Sequence, residues 1–308
     1  MRIALAGATG VIGRALSPVL REHGHQVTAL VRDPERAADQ ARTGIWDDVV
    51  VADALDPLAV RDAIVTARPD AVVHQLSALR GNTPDAVERT ARLRTEGTAN
   101  LITAARAAGV RRLVVQSIAF AAAPVGAPVV DEDAPLYLDA PDPGWAQTVG
   151  AVAELERLVS GVRDIAGVVL RYGTLYGPAT HYDPAGPFAD TVARGRFPLP
   201  GTGAGITSFL HVDDAASAAL AALESTVTGV FHITDDEPAA AGIWLPAYAR
   251  HVGGPVPRPV PEAMAERLLG WFTAHQMTDR RGADNARARQ LLGWKPARTS
   301  WRQEWTGA

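Results

Sequence analysis

The chain of 308 residues contains no cysteine. Disulfides, thiolate nucleophiles and Cys-ligated zinc are therefore excluded, and thiols give no reading of the redox compartment. Lysine is almost missing as well: Lys295 is the one lysine among 30 Lys and Arg residues, an Arg- and Ala-rich bias that points to high-G+C coding. No basic run occurs and the formal net charge is −4, so a nucleic-acid surface, which needs clustered cations against phosphates, is not expected. No apolar stretch approaches the roughly 20 residues that cross a bilayer. The N-terminus, MRIALAGATGVIGRAL, carries glycines at 7, 10 and 13 that make a poor signal-peptide helix, and a cytoplasmic protein is expected. The last absence is chemical. Residues 144–159, GWAQTVGAVAELERLV, read as a helix lining a site yet hold no tyrosine, lysine, cysteine or histidine.

What is present alternates. Short apolar or β-branched runs at 3–6, 27–31, 49–52, 71–75, 113–117 and 168–171 are separated by alanine-rich amphipathic segments, near 11–23, 34–42, 57–67, 84–108 and 147–164. That rhythm predicts βαβ units around a buried parallel sheet, an α/β doubly wound Rossmann fold. Asp56 before Pro57 reads as a helix N-cap, and Gly109 as a helix stop. After Arg171 a Gly- and Pro-rich run of loops holds one short helix near 186–195. SFLHV, a helix over 213–224 and the strand GVFHI follow, and then helices near 243–252, 261–274 and 283–292. The expected division is a nucleotide-binding core over 1–171 and 209–235, and a smaller substrate-binding cap over 172–208 and 236–308.

The spacing Gly7-x-x-Gly10-x-x-Gly13 follows a strand and opens a helix, the context of a phosphate loop. Glycines permit the tight turn, and the helix N-terminus offers free N–H groups and a partial positive charge to a pyrophosphate. At the tip of the second strand Arg32 stands where a ribose 2′-phosphate would lie, beside Asp33, which favours NADP(H) over NAD. Asp53 closes the third strand, where its carboxylate either accepts from an adenine amino group or caps the next turn.

These residues together resemble a family. GATGVIG, the VVAD turn ending in Asp53, EGTANLITAARAAGVRRLVVQS, RYGTLYGP from 171, SFLHVDD from 208 and LGWKP at 292–296 stand in the order found in the extended, or atypical, short-chain dehydrogenase/reductases, the NAD-dependent epimerase/dehydratase group. The resemblance spans essentially the whole chain. It implies a core of about seven strands, a C-terminal substrate domain, and cofactor contacts from Gly7, Thr9, Gly10, Val11, Ile12, Gly13, Arg32, Asp53, Ala54, Leu76 and Arg171. It also implies a Ser or Thr after the fifth strand and a Tyr-x-x-x-Lys pair on the next long helix, which move the proton. Ser117 matches the first. The second has no match: one register places Thr148 and Val152 at the pair, another Ala146 and Gly150, and no tyrosine in the chain has a lysine four residues on. The family's usual Asn three residues before Gly97 is Arg94 here.

Replacement donors follow from position. Ser117 either hydrogen-bonds a substrate carbonyl or caps its strand end. Tyr172, Tyr176 and His181 stand in the loop after the sixth strand; each is a proton donor or a packed or exposed side chain. Thr148 and Trp145 shape the pocket. His211 is expected to be structural, with Asp213 or Asp214 capping the next helix. DEDAP at 131–135 reads as a solvated loop, and no metal site is expected. Arg194, Arg196 and Arg250 would suit a nucleotide sugar. Trp145, Phe188, Trp244, Trp271 and Phe272 would suit a polycyclic or polyketide-like product of bacterial secondary metabolism. Three functions fit: an NADP(H)-dependent oxidoreductase or epimerase acting on a small carbonyl or hydroxyl metabolite, a non-redox cyclase, dehydratase or lyase, and a redox-inactive NADP(H) sensor with a protein partner. A homodimer through the two long helices is compatible with all three.

Overall fold

The structure is a computed structural model that describes residues 1–78 and 83–307. Strands β1 (Arg2–Ala6), β2 (Gln26–Val31), β3 (Asp48–Val51), β4 (Ala71–His74) and β5 (Arg112–Ile118) alternate with helices α1 (Val11–Glu22), α2 (Pro34–Arg42), α3 (Pro57–Ala67), α4 (Pro84–Arg92) and α5 (Thr98–Ala107). The short β6 (Val129–Val130), α6 (Pro143–Gly161) and β7 (Ala166–Tyr172) follow. Next come β8 (Thr174–Tyr176), α7 (Pro187–Ala193), β9 (Leu199–Pro200), β10 (Ile206–Thr207), β11 (Phe209–His211), α8 (Val212–Glu224) and β12 (Gly229–Ile233). The C-terminal part holds β13 (Ala239–Ala240), α9 (Ala241–His251), β14 (Pro259–Val260), α10 (Glu262–Leu269), α11 (Trp271–Thr278), β15 (Gly282–Ala283) and α12 (Arg302–Trp305).

Seven strands pair in parallel in the order β12-β7-β5-β4-β1-β2-β3, the doubly wound sheet expected from the alternation. Both faces are dry. Ile3, Leu5, Val27, Val73, Val114 and Val168 pack under α1 and α8 on one side. Ala4, Val72, Leu113, Val115 and Val169 pack on the other against Leu101, Ala105 and Leu155 of α5 and α6. Apolar burial at about 25 cal/mol per Å² holds such a sheet together. A third cluster joins Tyr176, Tyr182, Phe188, Phe209, Trp244, Tyr248, Trp301 and Trp305 beyond the sheet.

The helix expected over 84–108 is not one α-helix. A π turn over Leu93–Gly97 interrupts it, and a Cβ on Gly97 would stand 3.7 Å from Ala54 Cβ. The helix expected over 261–274 is also broken, at Gly270, whose φ of +83° lies outside the helical region. Residues 283–292 begin in a strand and end in a second π turn, Ala288–Leu292. Asp56 caps α3 as expected, accepting from Leu58 N at 3.0 Å and Ala59 N at 3.1 Å. Gly109, at φ +71°, closes α5.

The cap of α8 is His211, whose Nδ1 accepts from Asp213 N at 3.1 Å, in place of Asp213 or Asp214. Asp214 is instead buried and accepts from Ala297 N at 2.8 Å and Arg298 N at 3.0 Å. Asp235 works likewise on Trp301 N, at 2.9 Å. Two buried carboxylates therefore tie down segment 297–301. The 131–135 loop also departs from expectation. Glu132 is buried, accepting from His232 N at 2.7 Å and pairing with Arg287 Nε at 3.3 Å, while Asp131 and Asp133 on either side are exposed.

Candidate active site

The glycine loop lies at the carboxyl end of β1, the end at which open α/β sheets bind ligands. Gly7 has φ +92°, and a Cβ there would stand 2.5 Å from Gln75 O; one on Gly13 would stand 2.2 Å from Gly7 O. Neither position accepts a side chain. Gly10 begins α1 without a side-chain cap, so the first N–H groups of the helix face outward with no acidic residue in the first turn. This cradle fits a dinucleotide pyrophosphate. Thr9, Val11 and Ile12 complete the turn.

On the β2–β3 side, Arg32 is exposed directly after β2, and its charge is felt at Asp53. One oxygen of Asp53 accepts from Leu55 N at 3.1 Å and the other pairs with Arg89 at 2.7 Å. Burial alone would push this carboxyl up, but the Leu55 N–H and the Arg89 guanidinium outweigh it and hold the pKa below its ordinary value. Ala54 is buried, and its carbonyl accepts from Asn100 Nδ2 at 2.9 Å. On the β4 side, Leu76 N donates to His74 Nδ1 at 3.1 Å and Leu76 O accepts from Gln116 Nε2 at 3.1 Å. His74 is fully buried, which holds its pKa down to about 4.

Ser117 and Arg171 face each other across the β5–β7 pair and meet at one carboxylate that the sequence reading did not single out. Ser117 Oγ donates to Glu156 Oε1 at 2.8 Å, and Arg171 donates from Nε at 2.8 Å and from Nη2 at 2.7 Å. All three are buried. Arg171 Nη1 also donates to the Glu132 carbonyl at 3.1 Å. Glu156 sits one turn beyond Val152 and two beyond Thr148, which is half-buried with no side-chain hydrogen bond among the described residues. The inner face of α6 therefore presents a carboxylate already engaged and no acid.

The candidate donors separate. Tyr172 is buried, and its hydroxyl accepts from Gln75 Nε2 at 3.2 Å; Tyr176 is buried among aromatic rings with no partner for its hydroxyl among the described residues. Burial pushes both phenols above their ordinary pKa. His181 stacks on Phe188, ring centres 4.4 Å apart, and burial lowers its pKa. Tyr176 and His181 thus join the C-terminal aromatic cluster, while Ser117 and Tyr172 stand at strand ends.

The aromatic candidates also divide. Phe188 and Trp244 are core. Trp145, in the first turn of α6, packs with Phe120 and Phe272, its ring centre 4.7 Å from that of Phe272. Arg194 is exposed and paired with Asp190, and Arg196 and Arg250 are exposed. The cations that approach the sheet end are Arg280 and Arg281, which line a narrow crevice with Ala119, Phe120, Gly173, Ser208 and Ala283. Arg280 lies over the Phe120 ring at 5.2 Å, and Arg281 Nε is buried without a partner among the described residues. Sequence reasoning missed this doublet because the chain carries another at 111–112. Among the described residues no cluster could hold a metal and no helix is long and apolar enough to cross a membrane.

Comparison with known proteins agrees with this geometry. A model of the "NAD dependent epimerase/dehydratase family" matches residues 3–233. The chain is 64% identical over 305 residues to a 3-diazoavenalumate denitrifying reductase of a Streptomyces species, covering 98% of each. It is 29% identical over 247 residues to a 2-alkyl-3-oxoalkanoate reductase of Stenotrophomonas maltophilia, covering 77% of this chain and 72% of that one. In fold it is similar to a human epimerase family protein crystallised with NADPH, at a TM-score of 0.75 and 20% identity, covering 100% and 98% of the two chains.

Proposed function

Because the chain belongs to the NAD-dependent epimerase/dehydratase family, we propose that it is an NAD(P)H-dependent reductase that replaces the nitrogen of a diazo-substituted carboxylate with hydrogen. The observation that carries this reading is Ser117, whose one proton is directed at Glu156, beside a helix face with no acid. Reducing a carbonyl leaves an alkoxide that must be protonated, a step general acids accelerate by about 10²–10⁴-fold. Reducing the carbon of the diazo group in its cationic diazonium form does not. A bound nicotinamide would supply the hydride. A C–H bond forms from it, the C–N bond breaks, and its electron pair departs with dinitrogen, so no oxygen awaits a proton. The Ser117 oxygen, its hydrogen engaged, keeps its lone pairs as acceptors and suits an electron-poor reacting centre. The 64% identity to a denitrifying reductase supports the same chemistry.

We infer that Arg32 selects NADP(H) by binding the 2′-phosphate, that the glycine loop holds the pyrophosphate, and that Phe120, Trp145 and Phe272 with Arg280 and Arg281 receive the aromatic and anionic parts of the substrate. A homodimer through the two long helical segments, α4 to α5 and α6, belongs to the same reading. The test is direct: the purified protein with NADPH and 3-diazoavenalumate, dinitrogen followed by mass spectrometry. Nucleotide oxidation matched by dinitrogen release is expected. Efficient reduction of 3-oxoalkanoates or epimerisation of UDP-glucose, with no dinitrogen from the diazo acid, would reject it.

A further inference from the structure

Arg94 is buried to 5% exposure in the π turn that packs on α6, and it makes no hydrogen bond or ion pair among the described residues. The charged or titratable groups that face it are Glu156, from α6, and His74, from the end of β4. Both are already occupied. Glu156 accepts from Ser117 and twice from Arg171. His74 Nδ1 accepts from Leu76 N, and its Nε2 stands 3.2 Å from Thr98 Oγ1. A guanidinium offers five N–H donors, and burying it without acceptors is costly. No described residue accepts from it, yet its nitrogens are not among the buried atoms without a partner, so they stay open to a molecule bound in the cleft.

The position identifies that molecule. The order β2-β1-β4-β5 makes the gap between β1 and β4 the switch point of the sheet, across which a dinucleotide lies. With the pyrophosphate at the N-terminus of α1 and the adenosine half toward Arg32 and Asp53, the other half crosses the ends of β4 and β5. Arg94 stands in the π turn that packs on α6, and its charge acts on His74 of β4 and on Glu156, which is bonded to Ser117 of β5. In the proposed function the anionic part of the substrate is assigned to other cations, Arg280 and Arg281, at the separate crevice. We propose that Arg94 binds the vicinal hydroxyls of the ribose next to the nicotinamide, donating two N–H groups to the two oxygens and fixing that ring beside Ser117. This rests on the nucleotide reading of the cleft and is independent of the diazo chemistry.

Calorimetric titration tests it. NADPH and 2′,5′-ADP, a fragment that lacks the second ribose, are titrated into wild type and Arg94→Met, with a thermal melt as the folding control. The Kd for NADPH is expected to rise roughly 10- to 100-fold in the variant while that for 2′,5′-ADP stays unchanged, the scale of losing charge-assisted hydrogen bonds. Should Arg94→Met not fold, wild type titrated with an NADPH analogue lacking the 2′-hydroxyl of the nicotinamide ribose is expected to show a weakening of the same kind. An unchanged Kd in either experiment, equal weakening of both ligands, or a rise only in the KM of the diazo acid would overturn the proposal. The expected titration supports Arg94 even where no dinitrogen is released, in which event the diazo chemistry alone fails.

Discussion

The Ser117 hydroxyl donates to Glu156 Oε1 across 2.8 Å, and both residues are buried. Serine has one proton, so this bond decides what the residue offers a substrate: an acceptor, not a donor. Position alone would have made Ser117 a partner for a carbonyl oxygen.

Ser117→Ala is therefore expected to lower kcat for the diazo substrate by less than about tenfold, well under the loss expected on removing a general acid. Tyr172→Phe, Tyr176→Phe and His181→Ala should behave alike in steady-state assays. A loss of a thousandfold in any of the four would identify a proton donor and count against the proposed chemistry.

Removing the carboxylate has the opposite profile. Glu156→Gln leaves the buried Arg171 without its counter-charge, and breaking a buried pair in this way costs on the order of 3–5 kcal/mol. Urea unfolding should show it. Arg171→Met combined with Glu156→Gln should lose less than the sum of the single changes, because no unpaired charge remains.

Gly13→Ala is expected to abolish nucleotide binding, since its Cβ would stand 2.2 Å from Gly7 O and force the loop apart. Gly150→Ala, in open space on α6, serves as the control and should bind normally. Titration with NADPH reads both.

His74 sets a pH dependence. Burial holds its folded-state pKa at about 4, below the ordinary 6.5, so the unfolded chain takes up the proton first. The stability concerned is fully present above pH 6.5 and is lost as the pH falls through 4, amounting to about 3 kcal/mol over that window. His232, held down to about 3 by burial and by Arg171, acts in the same direction. Thermal melts between pH 7 and 4 should fall steeply in wild type and less steeply in His74→Gln.

Arg32→Ala should cost NADPH roughly 10- to 100-fold in affinity and leave NADH nearly unchanged, the scale of a charge-assisted contact to phosphate. Equal losses for both nucleotides would mean that Arg32 does not read the 2′-phosphate.

The sheet was legible because strands buried on both faces are continuous apolar runs, and the glycine loop because its spacing falls between a strand and a helix. The failures share a cause: they depend on partners distant in sequence. Glu132 looks solvated between Asp131 and Asp133, and what buries it is His232, 100 residues on. Glu156 acquires its role from Ser117, 39 residues earlier. The π turn at 93–97, where Gly97 lies near Ala54, is a feature that helix propensity does not register. At His211 the helix is capped by an imidazole nitrogen in place of the usual oxygen.

The tie between Asp214, Asp235 and segment 297–301 bears on how the protein is made. Both carboxylates belong to elements next to the sheet, yet the N–H groups they need come from Ala297, Arg298 and Trp301. While these residues are still inside the ribosome, the two carboxylates have no such donors and β11, α8 and β12 cannot pack to completion. The first strands emerge and pair early, in the usual N-terminal-first order. The final closure waits until residues 297–301 have emerged, and β7, the partner of β12, is the sheet edge exposed in the meantime.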